Sequence, residues 1–190
     1  PCCFLTFNAM RGAVFVLLFL TAVACEPADR AQLNSSESMP LVSMAGWVQV
    51  DSTDDPFEGH QPMAMRCEPT GVFVEDGVLE IDTGRCPYFA ARQDSQLALR
   101  EDDWLETTMY YDDLYADPAS FAHIALLLDG MVIWEKRVPI PSEAQAFTEY
   151  IPLSAAYPRG TRVDFHLHNH GLNHWRLVAL QRTRIPAEER

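Results

Sequence analysis

Positive charge is scarce in this chain: 14 Lys and Arg stand against 27 Asp and Glu, a formal net charge of -13. That balance excludes an electrostatic grip on nucleic acid or on anionic lipid. It suits a protein kept soluble by its own acidity. Catalytic signatures are lacking as well. No Gly-x-Ser-x-Gly elbow, P-loop, His-Glu-x-x-His or Rossmann glycine run occurs. Carboxylates are plentiful, but nothing in their spacing pairs two of them across a cleft, as glycoside hydrolysis requires. The expectation is therefore of binding rather than catalysis. Helical periodicity is almost absent, no internal repeat is visible, and no apolar run is long enough to span a membrane beside its own domain.

What is present begins with an export signal. From Met10, Arg11 supplies a minimal basic start, Gly12 to Leu20 an apolar stretch, and Ala22-Val23-Ala24 small residues before Cys25. This reads as a signal peptide over 10–24, with residues 1–9 an upstream artefact. Ala22-Val23-Ala24-Cys25 resembles a bacterial lipobox, with Ala22 where that family usually has Leu. The resemblance implies acylation of Cys25 and a membrane-anchored protein of the bacterial cell envelope. Ala-x-Ala also suits the ordinary signal peptidase, which would leave a secreted protein. Residues 25–44 are rich in Ala, Asp, Gln, Asn and Ser, with Pro27 and Pro40, and read as a flexible tether. Setting aside Cys2, Cys3 and Cys25, the exported chain keeps Cys67 and Cys86, a natural disulfide. No CxxC or CxxH pair accompanies them to suggest a metal-thiolate site.

The folded domain is expected over 45–183, followed by a polar tail over 184–190. It opens with a short strand at Gly46 to Val50. An acidic loop follows, with Asp51, Asp54, Asp55 and Glu58 close together. Such oxygen clusters suit a structural calcium, although the order is not that of an EF-hand and a solvated turn explains it as well. His60, Met63, Met65 and Cys67 would suit Cu(I), or would simply fill a core. Two hairpins stand out, each with an Asp-Gly dipeptide that supplies positive φ. Val72-Phe73-Val74 and Val78 to Ile81 flank Asp76-Gly77, and Phe121 to Leu128 and Met131 to Val138 flank Asp129-Gly130. Trp104 to Tyr111 reads as a strand whose alternate residues Trp104, Glu106, Thr108 and Tyr110 mix rings, a carboxylate and a hydroxyl, as a ligand-binding sheet face would. Ser142 to Ala146 reads as a helical turn, Phe147 to Leu153 as a strand, and Trp175 to Leu180 as the last strand.

Four of the six histidines lie within nine residues, at His166, His168, His170 and His174. Val163, Phe165 and Leu167 alternate with Asp164, His166 and His168, a strand with one face in a core and the imidazoles on the other. About ten short strands with frequent turns describe an all-β antiparallel sandwich. The paired strands around Asp129-Gly130 and the strand from Arg162 to His168 resemble the galactose-binding-like jelly rolls of carbohydrate-binding modules and bacterial surface proteins. The pattern carries no diagnostic motif, and that family binds diverse ligands.

Three readings of the histidine strand follow. His166 and His168, with His123 from a neighbouring strand, could hold zinc, copper or iron. Gly160 and His166-Leu167-His168 even resemble the opening of a cupin motif, which then fails because Leu172 and Asn173 stand where a Glu belongs. A glycan could be held by Trp104, Tyr110, Trp134 and Trp175 as stacking rings, with Glu106, His166, His168 and Asn169 reading hydroxyls. Alternatively, Asn169, His170, Gly171 and Asn173 form a hydrogen-bonded turn in an envelope interaction module. Glycan binding is the expectation preferred.

Overall fold

The structure, a computed structural model, describes residues 38–51, 53–57 and 67–183. These belong to one compact unit, Ser35–Arg190. The signal peptide, Cys25 and the polar tail lie outside the described residues, as do Glu58, His60, Met63 and Met65.

Alternating apolar residues separated by turns give eleven strands among the described residues: β1 (Met39–Pro40), β2 (Val48–Gln49), β3 (Val72–Glu75), β4 (Val78–Asp82), β5 (Tyr88–Asp94), β6 (Trp104–Tyr111), β7 (Ser120–Leu128), β8 (Met131–Ile140), β9 (Gln145–Pro152), β10 (Arg162–His168) and β11 (His174–Thr183). They form an antiparallel β-sandwich. Sheet A runs β3-β4-β11-β6-β9, with β1 also on β11, and sheet B runs β2-β5-β10-β7-β8. From β4 onward the chain changes sheet at every connection except the β7–β8 hairpin, which is jelly-roll winding.

Both Asp-Gly turns form as expected. Asp76 and Gly77 have φ of 50° and 80°, and Asp129 and Gly130 have 49° and 80°. Positive φ at both central positions gives the backbone twist that matches a two-residue hairpin. β8 pairs only with β7, so Pro139, which has no N–H to donate, sits in an edge strand. Cys67 and Cys86 are joined in a disulfide.

The core lies between the sheets. Leu105, Met109 and Tyr111 of β6, with Trp175, Leu177 and Leu180 of β11, meet Ile124, Leu126 and Leu128 of β7 and Val163, Phe165 and Leu167 of β10.

The structure differs from the sequence expectations at several points. Residues 38–44, expected in the tether, are part of the domain: β1 pairs with β11, and Leu41 and Val42 are buried in the core. Residues 142–146 form no helical turn. Ser142 bridges to Leu114, and β9 begins at Gln145, because the chain must return to the edge of sheet A. The last strand is longer than expected, His174–Thr183. A register shift at Val178 lets it pair with all of β6.

Candidate functional site

The two outer faces of the sandwich differ. On sheet B, the histidines do project away from the core, but His123 is buried and His168 only partly exposed. His166 is fully buried. Its ring packs 4.5 Å from that of Phe57, 5.1 Å from His123 and 5.1 Å from Tyr88. His123 stands opposite His168 in the register and lies 3.1 Å from Glu135. The segment over 53–57 therefore covers this face. It is fastened where the Tyr88 hydroxyl donates to Asp55, which also accepts from the Phe57 amide. Burial, then the Asp55 carboxylate, push the Tyr88 phenol far above its ordinary range, so it remains a donor. Asp164 is buried beside this cluster between Arg92, at 2.6 Å, and Arg162, at 3.2 Å.

This changes the reading of several residues. Asp55 is buried and Asp51 exposed, while Asp54 offers its carbonyl to Arg92, so the three do not converge as calcium ligands would. Among the described residues no three His, Cys, Asp or Glu side chains converge in a way that could hold a metal ion. His123, His166 and His168 pack as rings among rings.

The turn after β10 is a closed polar network. Asn169 donates to Thr83 Oγ1 at 2.8 Å and accepts from the Trp175 indole at 3.1 Å. Asn173 accepts from the Tyr115 amide at 2.8 Å and donates to the His170 carbonyl at 2.9 Å. Gly171 has φ of 90°. The arrangement is that of the structural turn foreseen for these residues, and it commits Asn169 to the fold. Trp175 is fully buried in the core, and Trp134 is half-buried on the inner side of β8, near Phe147. The buried Trp175 offers no ring to a ligand, and Trp134 lies on sheet B, away from the face around Trp104.

Sheet A presents the open face. Alternation along β6 sends Leu105, Met109 and Tyr111 inward and leaves Trp104, Glu106, Thr108 and Tyr110 half-exposed on the outside. Their neighbours are fixed by register. Trp104 lies opposite Pro152, and Glu106 lies between Tyr150 of β9 and Gln181 of β11. Tyr150 is 52% exposed, so its ring is available to a partner. Among the described residues the side chains of Glu106 and Gln181 make no hydrogen bond or ion pair. Sequence reasoning missed Tyr150 and Gln181. Alternation within each strand was visible, but the register that sets them beside Glu106 was not.

The other end of this face is internally satisfied. Arg176 bridges Glu80, at 3.2 Å, and Asp112, at 3.1 Å. Its guanidinium lies 5.2 Å from the Tyr110 ring centre, and the Tyr110 hydroxyl donates to Asp112 at 2.8 Å. That bond raises the Tyr110 phenol. Burial works against the charge of Asp112, but the bonds from Tyr110 and Arg176 outweigh it and hold its carboxyl below the usual range. Tyr110 is thus held in place by these bonds, whereas the partly exposed Trp104 and the exposed Tyr150 are not so held among the described residues.

No protein-family model matches the chain. No curated protein matches it either. Among solved structures it is similar to a mutant of a carbohydrate binding module of family 29, at 12% identity and TM-score 0.42, over 78% of this chain and 92% of that one. It is also similar to a cleaved adhesin domain of Lys-gingipain from Porphyromonas gingivalis, at 12% identity and TM-score 0.41, over 78% and 99%. A third is the second N-terminal cellulose-binding domain of Cellulomonas fimi β-1,4-glucanase C, at 10% identity and TM-score 0.38, over 79% and 98%. At these identities and scores, no ligand or residue role carries over.

Proposed function

We propose that the chain is a glycan-binding domain, acting by binding rather than catalysis, whose site is the outer face of sheet A around Trp104, Glu106, Tyr150 and Gln181. The observation that supports this is the pairing of uncommitted polar groups, Glu106 and Gln181, with the neighbouring rings of Trp104 and Tyr150 on an open face. Rings stack on the apolar faces of sugars, while a carboxylate and an amide exchange hydrogen bonds with hydroxyls. From Trp104 to Tyr110 the face extends about 20 Å along β6, room for several sugar rings in a row.

Affinity electrophoresis of the full chain against a panel of soluble polysaccharides tests the proposal. Trp104→Ala and Tyr150→Ala should each weaken binding about tenfold, ~1.4 kcal/mol. His166→Ala should lower thermal stability and leave affinity unchanged. A loss of affinity confined to His166→Ala would move the site to the covered face and sink this reading.

We further propose that the domain is held at the bacterial cell envelope through an acylated Cys25, the alternative being secretion. The support is the lipobox-like Ala22-Val23-Ala24-Cys25 segment. Expression with labelled palmitate should label the protein, and Cys25→Ser should abolish the label. An unlabelled wild type would favour the secreted form.

A further inference from the structure

On the reading of sheet A as the glycan face, we infer that the site selects glycans without carboxylate or sulfate groups. Formal charge on this face is one-sided. β3, β4, β6 and β9 contain no Lys or Arg. β11 contributes Arg176 outward, while Arg182 takes the opposite register position, across from Leu105 of the core. Arg176 is already engaged by two carboxylates, Glu80 and Asp112. Glu80, Glu106 and Asp112 on and beside the face therefore outnumber its one outward guanidinium, and Asp82 adds a fourth carboxylate, which pairs with Arg85 at 3.5 Å outside the strands.

Glu106 makes the consequence specific to the site. An ionised carboxylate only accepts hydrogen bonds, so the group beside it on a ligand must donate. Sugar hydroxyls do. A uronate or sulfate brings acceptors and negative charge against Glu106, with no unpaired Lys or Arg on the face among the described residues to compensate. Trp104, two residues along β6, and Tyr150, directly across on β9, both adjoin this carboxylate, so a sugar ring stacked on them lies beside it rather than away from it. The arrangement rejects acidic polymers by repulsion and accepts uncharged ones by stacking.

The test offers the full chain soluble polysaccharides in pairs, each as the uncharged polymer and as its carboxymethylated derivative, and reads the ratio of the two affinities. At low salt the carboxymethylated form should bind at least about tenfold more weakly. The gap should narrow as salt is raised. Glu106→Gln should also narrow it, whatever happens to each absolute affinity. Equal or tighter binding of the carboxymethylated form, still weakened by Trp104→Ala, would overturn the inference and leave the glycan face standing. A gap that persists in full in Glu106→Gln would also overturn it, assigning the repulsion to the net charge of the molecule. No binding in either arm, or binding indifferent to Trp104→Ala, would remove the face itself and the inference with it.

Discussion

Gly171 shows how much a single position in the turn after β10 is constrained. Its φ is 90°, and a Cβ built there would fall 1.9 Å from the Tyr115 carbonyl oxygen, which is backbone and cannot swing aside. Gly77 also has positive φ, at 80°, but nothing lies within 4 Å of its Cβ position. Gly77→Ala should therefore cost only the left-handed penalty, about 1 kcal/mol. Gly171→Ala must also displace Tyr115 and disturb the Asn173 bonds, and should cost at least ~2 kcal/mol more. Thermal denaturation of both variants decides it, and equal losses would contradict the close approach. Here the residue types spoke clearly: Asn and Gly in a turn between strands predicted side chains bonding backbone. His166 was half legible. Its alternation with Phe165 and Leu167 put it on the outer side of the strand. Its burial depends on Phe57, more than a hundred residues away, docking over it. No local pattern announces such a contact.

Strands were readable where one face is dry and the other wet. β6 alternates buried and half-exposed residues over its whole length, and both Asp-Gly hairpins punctuate themselves. β5 gave no such signal, because its first four residues are all buried, the sheet being covered on both sides there. β1 was missed for another reason. Two residues, one of them a proline, after a polar stretch, carry no periodicity at all, yet β1 brings Leu41 and Val42 into the core. A chain beginning at residue 45, where the sequence suggested the domain starts, lacks both side chains. Burying each is worth roughly 2 kcal/mol, so it should be about 4 kcal/mol less stable in denaturant unfolding than a chain beginning at residue 38. Equal midpoints would show that β1 adds nothing to the fold.

At the scale of the whole molecule, the two sheets have taken opposite fates. Sheet B spends its polar outer side chains on internal contacts: Tyr88 on Asp55, Asp164 on two arginines, and His166 among three other rings. Sheet A keeps Glu106, Tyr150 and Gln181 uncommitted. The histidine cluster was the most conspicuous feature of the sequence, and His166 and His168 of it belong to the covered sheet, while His170 and His174 are exposed. The quieter strand, Trp104 to Tyr111, carries the open side. Composition cannot separate the two, because coverage is decided by which loop folds over which sheet.

Pro40 of β1 pairs with Gln181, so the chain enters the domain at the rim of the open face. Cys25 and Ser38 are 13 residues apart. Fully extended, that segment spans at most about 45 Å. A domain leashed at Cys25 would search only a shallow volume above the bilayer. Even a weak grip on one sugar chain would then be multiplied by the crowding of that polymer within reach of the leash.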